Sequence, residues 1–121
     1  MSLSIKTRKV DNVIVLDLSG RLIIGEPVLL LRDTIRGHVN DGSLHFILNL
    51  GDVGYIDSSG LGELVSTYTT IRNRKGDVKL LNLTTKAKDL LQMTKLLTVF
   101  DVYDDESKAV AAIKAKAGGA A

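Results

Sequence analysis

The chain has 121 residues, of which 45% are hydrophobic and only 4% aromatic, so we expect a single domain with an aliphatic core. Its 16 basic and 14 acidic residues leave a net charge of +2, which is too small to indicate a nucleic-acid partner. The absence of cysteine excludes disulfides, thiolate catalysis and cysteine-based metal sites.

The first half of the chain predicts a hairpin, a helix and a buried strand. A turn signal at residues 11–12 separates the two hairpin strands. Pro27 suits the first turn of the helix, because proline has no N–H to leave unpaired there. The predicted elements are a strand at 4–10, a strand at 13–18 with extended residues 21–24, a helix from Glu26 to about residue 40 with the apolar stripe Val28, Leu31, Ile35 and Val39, and a strand at 45–50.

The second half alternates helices and strands. We expect Gly76 to end the long helix in a left-handed conformation and Thr84 or Thr85 to cap the next helix. The predicted elements are a helix at 61–71, a strand at 78–83, a short helix carrying Ala87, Leu90 and Leu91, a strand at 99–103, and a helix from 104–106 through 113, with a frayed tail at 114–121.

Strands that alternate with helices imply crossover connections and a largely parallel sheet, to which the opening hairpin adds an antiparallel edge. The predicted fold class is therefore α/β, with a mixed sheet of four to five strands and about four helices in one domain, 1–121. No apolar run approaches the roughly 18 residues of a membrane span, and the start of the chain lacks the apolar core of a secretory signal. We expect a cytoplasmic protein without a membrane partner, either monomeric or weakly dimeric.

Few residues fit a catalytic, nucleotide or metal site. The only histidines, His38 and His45, lack a recognisable catalytic signature and suit a helix-end cation and a surface edge residue. Gly60 and Gly62 follow a strand, but neither the third glycine of a dinucleotide loop nor a Gly-Lys-Ser/Thr sequence accompanies them. No aspartate has the spacing of a calcium loop. We therefore expect no catalytic residue, no cofactor and no metal.

The most informative segment is Tyr55–Gly62, at the predicted junction of a strand and a helix. Asp57, Ser58 and Ser59 can each cap a helix, yet one cap suffices. Two glycines in a first turn also cost helix stability relative to alanine. These features favour an open surface for an anion, a modified side chain or a docked partner. The predicted partner-binding residues are Asp57, Ser58, Ser59, Gly60, Leu61 and Gly62.

Residues 47–62, which end in Asp57-Ser58-Ser59-Gly60-Leu61-Gly62, resemble the signature of STAS domains, and most closely that of the anti-sigma factor antagonists. Segments 15–20, 76–83 and 90–100 extend the resemblance over nearly the whole chain. The resemblance implies the STAS fold and a switch rather than an enzyme. In such a switch the unmodified protein binds an anti-sigma factor with serine kinase activity and frees a sigma factor. Phosphorylation of the first serine ends this binding, and a PP2C-type phosphatase restores it.

Carried onto this chain, the resemblance places the phosphorylation on Ser58, with Ser59 as the alternative acceptor. Asp57 is expected to cap the helix, to orient the Ser58 hydroxyl or to sharpen the repulsion of a phosphate. One departure is visible: many phosphorylatable members carry Gly-Glu-Leu-Asp after the second strand, whereas residues 20–23 here end in Ile23. Two other functions remain open: a regulatory or scaffold subunit of a stressosome-like or transporter-associated complex, and a STAS domain that binds a nucleotide or small ligand at Ser58–Gly62.

Overall fold

A computed structural model describes residues 3–119 and contains one five-stranded sheet with four helices. The strand order is the order in sequence; the first pair is antiparallel and the other three pairs are parallel. The predicted mixed α/β architecture is therefore confirmed. The elements are β1 Leu3–Val10, β2 Val13–Leu22, α1 Glu26–Asn40, β3 His45–Ile56, α2 Ser58–Asn73, β4 Asp77–Leu81, α3 Thr85–Met93, β5 Asp101–Tyr103 and α4 Glu106–Gly119.

Helices cover both faces of the sheet, and the alternation of side chains along the central strands explains how. Leu48 of β3 points into the larger core, which α1, α2 and α3 cover. Its neighbour Ile47 points to the other face, where Ala109, Val110 and Ile113 of α4 cover a smaller core. Successive residues of a strand face opposite sides, so strands buried on both faces read as continuous apolar runs.

Strand β3 is six residues longer than predicted, and its extension carries the chain to the candidate site. The pairing of β3 with β4 ends at Asn49, whereas its pairing with β2 continues to Ile56. The β2–β3 register shifts twice in this extension, and each shift places one extra residue in β3. Gly51 and Gly54 lie within the two shifted intervals. Bulges of this kind redirect a strand and are frequent beside functional sites.

Several predicted boundaries needed correction. Lys75, with φ of 66°, is the left-handed residue after α2, so the prediction of Gly76 for this role was wrong. Gly76 is instead required by packing, because a Cβ there would lie 2.2 Å from the carbonyl oxygen of Leu44. Thr84, not Thr85, caps α3. Helix α4 runs past its predicted end at Ile113 to Gly119, and residues 120–121 lie outside the described residues.

Candidate functional site

Asp57 is the last residue before α2 and caps the N-terminus of that helix. Its backbone is extended, and its Oδ1 accepts a hydrogen bond of 2.8 Å from the N–H of Gly60. This bond satisfies one of the donors that the first turn of a helix leaves unpaired. Of the three roles expected for Asp57, capping is the one that the geometry shows.

The second oxygen of Asp57 holds a different part of the chain. Asp57 Oδ2 accepts a 2.9 Å hydrogen bond from the N–H of Ile24, in the loop of residues 23–25 between β2 and α1. The N–H of Asp57 in turn donates to the carbonyl oxygen of Leu22 at 3.2 Å. Asp57 therefore ties the end of β2 to the start of α2. The N–H of Ile24, followed by that of Gly60, holds the pKa of the Asp57 carboxyl below its usual value, since both bonds favour the ionised form.

The two serines that follow differ in accessibility. Ser58, the first residue of α2, is exposed, whereas Ser59 is half-buried. Neighbouring helical residues point about 100° apart, so one docked enzyme cannot reach both hydroxyls equally. The geometry favours Ser58 as the group that another molecule would meet.

The two glycines of the first turn do different things. A Cβ on Gly60 would lie 2.1 Å from the carbonyl oxygen of Leu22, so this glycine lets α2 pack directly on the end of β2. The prediction that both glycines leave the turn open is therefore wrong for Gly60. Gly62 is exposed, and a Cβ there would meet nothing within 4 Å. Leu61 is only 8% exposed and belongs to the core, so its side chain is not available to a partner.

Apolar side chains near this junction extend the exposed surface, although the sequence did not indicate them as part of a site. Ile24 is 71% exposed in the loop that Asp57 holds. A separate groove of about 340 Å³ lies between the end of β3 and α3. Tyr55 and Met93, both largely exposed, line this groove together with Val53, Ala87 and Leu90. The stripe Ala87, Leu90 and Met93 in α3 is the signal that could have indicated it.

The remaining predictions about chemistry concern His38, metals and membranes. The His38 ring stands edge-on to Phe46 at a centroid distance of 6.2 Å, a packing role at the end of α1. Within residues 3–119, no three histidine or carboxylate side chains come together in the way a metal ion requires. No helix in the same part of the chain has both the length and the apolar character to cross a membrane.

The chain is similar to one protein family and to curated proteins that are named as anti-sigma factor antagonists. The family model for the STAS domain matches residues 4–109. The anti-sigma-B factor antagonist of Bacillus subtilis is 28% identical over 103 residues, which cover 84% of this chain and 92% of the relative. The anti-sigma F factor antagonist of Paenibacillus polymyxa is 30% identical over a shorter stretch of 66 residues, which spans 54% of this chain and only 56% of the relative.

Solved structures with the same fold agree. A Thermotoga maritima crystal structure, whose protein carries the provisional name of an anti-sigma factor antagonist, is 28% identical with a TM-score of 0.85 and covers 91% of this chain and 94% of its own. The phosphorylated form of SpoIIAA, described as a Bacillus cell fate determinant, has a TM-score of 0.73 at 21% identity and covers 91% of this chain and 99% of its own.

Proposed function

Because this chain belongs to the STAS domain family, we propose that it is a cytoplasmic anti-sigma factor antagonist, which binds an anti-sigma factor and thereby frees a sigma factor. The observation that carries the proposal is the exposed hydroxyl of Ser58 at the start of α2, with the exposed side chain of Ile24 in the loop tied to the same junction. The names of the sequence relatives support the same role. The protein acts as a switch and not as a catalyst, and it is monomeric or weakly dimeric.

In this proposal Ser58 is the residue that the partner, an anti-sigma factor with serine kinase activity, phosphorylates. The Ser58 oxygen attacks the γ-phosphorus of ATP, ADP leaves, and the hydroxyl proton passes to a base of the kinase. The exposure of Ser58, compared with the half-buried Ser59, supports this choice of acceptor. A PP2C-type phosphatase then hydrolyses the phosphate ester and restores the binding form.

Electrostatics explain how a phosphate on Ser58 would act. The group adds about −1.5 to −2 charges at neutral pH. The N-terminus of α2 tolerates negative charge, because its unpaired N–H groups and helix dipole favour anions. The fold should therefore survive, and the cost should fall on the complex, where the partner surface would meet a partly desolvated dianion. Such a cost is on the order of several kcal/mol, and about 1.4 kcal/mol already weakens binding tenfold.

The two alternative functions have less support. A free nucleotide or phosphate at Ser58–Gly62 would compete with the Asp57 carboxylate, which already occupies the N–H of Gly60. A transporter-associated subunit would not need the exposed Ser58 hydroxyl. Ile23, where the resemblance to phosphorylatable members implies a loop aspartate, is half-buried beside this junction, so the charge of Asp57 acts there without a second carboxylate.

The test uses purified protein, ATP and the candidate anti-sigma factors of the same organism. We expect phosphate on Ser58 by mass spectrometry, and we expect S58D to fold normally but to bind the anti-sigma factor at least tenfold more weakly. S66D is the matched control, because Ser66 is exposed on the same helix two turns further along. Phosphate on neither serine, or equal binding by S58D and wild type, would refute the proposed switch.

A further inference from the structure

The loop of residues 23–25 is held at Ile24 by the Asp57 carboxylate and at Gly25 by the N–H of Leu29, which donates to the Gly25 carbonyl oxygen. Within residues 3–119, the Asp57 carboxylate makes the one side-chain hydrogen bond to this loop, at the N–H of Ile24. Gly25, which precedes α1, provides no side-chain cap of its own, and a Cβ there would meet nothing within 4 Å. The bond that holds Ile24 in its exposed position therefore comes from Asp57, at the start of α2.

The same carboxylate is the immediate neighbour of Ser58. Consecutive Cα atoms are only about 3.8 Å apart, so any charge on Ser58 lies close to that of Asp57. Both anions would also seek the same donors, since Asp57 already uses the N–H of Gly60 at the start of α2. A phosphate carries about −1.5 to −2 charges against −1 for the carboxylate. Both groups are tethered at the same helix end, so the larger charge of the phosphate makes it the stronger competitor.

We propose that Asp57 is a positioning residue that couples the charge on Ser58 to the position of Ile24. A negative charge on Ser58 displaces the Asp57 carboxylate, the hydrogen bond to the N–H of Ile24 is lost, and residues 23–25 move away from the surface that Ser58 and Ile24 together present to the partner. The N–H of Ile24 is exposed, so water can replace the lost bond. This inference rests on the proposed function, and it adds that the off-state removes an apolar contact as well as adding a repulsive charge.

NMR spectroscopy of the full chain labelled with ¹⁵N tests the coupling through the Ile24 amide. We expect S58D to raise the rate at which this amide proton exchanges with water by about tenfold, the effect of about 1.4 kcal/mol. We also expect its resonance to lose the downfield shift that a carboxylate acceptor produces. S66D should leave both observations at their wild-type values.

Asp57→Ser separates coupling from helix capping. Serine is also a preferred N-cap, so α2 should keep its cap while the second acceptor oxygen is lost. In this variant the Ile24 amide should exchange rapidly, and adding S58D should change it no further. A merely structural role of Asp57 would instead leave the effects of the two substitutions additive.

The outcomes distinguish this inference from the proposed function. If S58D abolishes anti-sigma factor binding while the Ile24 amide stays as in wild type, the coupling is refuted and repulsion alone remains. If the Ile24 amide is released but the anti-sigma factor binds S58D as tightly as wild type, the coupling stands and the proposed switch fails. An Ile24 amide that responds to S58D equally in the Asp57→Ser background would also overturn the coupling.

Discussion

The contact between Gly60 and Leu22 leads to a sharp prediction about stability. In Gly60→Ala the new Cβ would start 2.1 Å from the Leu22 carbonyl oxygen, whereas ordinary contacts begin at 3.4 Å. The nearest atom is a backbone oxygen, which cannot turn aside as a flexible side chain can, so α2 must move away from the end of β2. This movement also strains the hydrogen bond that Leu22 accepts from the N–H of Asp57.

Overpacking of this kind costs about 1–3 kcal/mol, and loss of one hydrogen bond adds about 1 kcal/mol. The better helix propensity of alanine returns up to about 1 kcal/mol. We therefore expect Gly60→Ala to lower the free energy of unfolding by about 1–3 kcal/mol. For a domain of this size the melting temperature should fall on the order of 10 °C.

Gly62→Ala is the matched control, because the same substitution two residues later meets open space. It should raise the free energy of unfolding by about 0.5–1 kcal/mol. Urea denaturation of both variants, followed by circular dichroism, measures the difference. Equal stability of the two variants would refute the packing argument. If a partner docks on the open turn, Gly62→Ala should also bind the anti-sigma factor more weakly while being more stable.

Two further predictions concern charged groups. Lys79 Nζ is buried and lies 3.0 Å from Asp77 Oδ2 and 2.5 Å from Asp101 Oδ2. Lys79→Met removes this cation from the buried Asp77 carboxylate, so it should lower the free energy of unfolding, measured by urea denaturation, by about 3 kcal/mol. Adding Asp77→Asn should recover part of that loss. Because hydrogen bonds depress the pKa of Asp57, its contribution to stability is complete above its unfolded pKa of about 3.9 and is lost as the pH falls through the lower folded value. Stability measured from pH 5 downward should therefore decline less steeply in Asp57→Asn, and an unchanged slope would contradict this.

Much of the fold follows from local patterns in the sequence. The apolar runs in β2, β3 and β4 reveal buried strands, and the spacing of Leu61, Leu64 and Ile71 reveals the helix that packs on them. These signals are strong because burial on both faces of a sheet and on one face of a helix imposes distinct periodicities. The position of Asp57 at the junction, and a threonine cap at residue 84 or 85, could also be predicted, since both depend on short-range hydrogen bonds.

The length of β3 and the shape of its end could not be derived in this way. The predicted strand ended at residue 50, yet β3 continues through two bulges, at Gly51 and Gly54, because β2 pairs with it as far as Ile56. Whether a glycine interrupts a strand or sits in a bulge depends on a partner strand that is distant in sequence.

The candidate site likewise has features that the local sequence predicts and features that depend on distant segments of the chain. The sequence by itself determined that a carboxylate, two hydroxyls and two glycines stand where a strand meets a helix, because each residue type has a local preference for such a junction. Only the tertiary structure decided that Ser58 is exposed, that Gly60 is buried against Leu22, and that Asp57 reaches across to Ile24. Exposure and long-range hydrogen bonds depend on which distant segments pack beside a residue, and the order of residues along the chain does not contain that information locally.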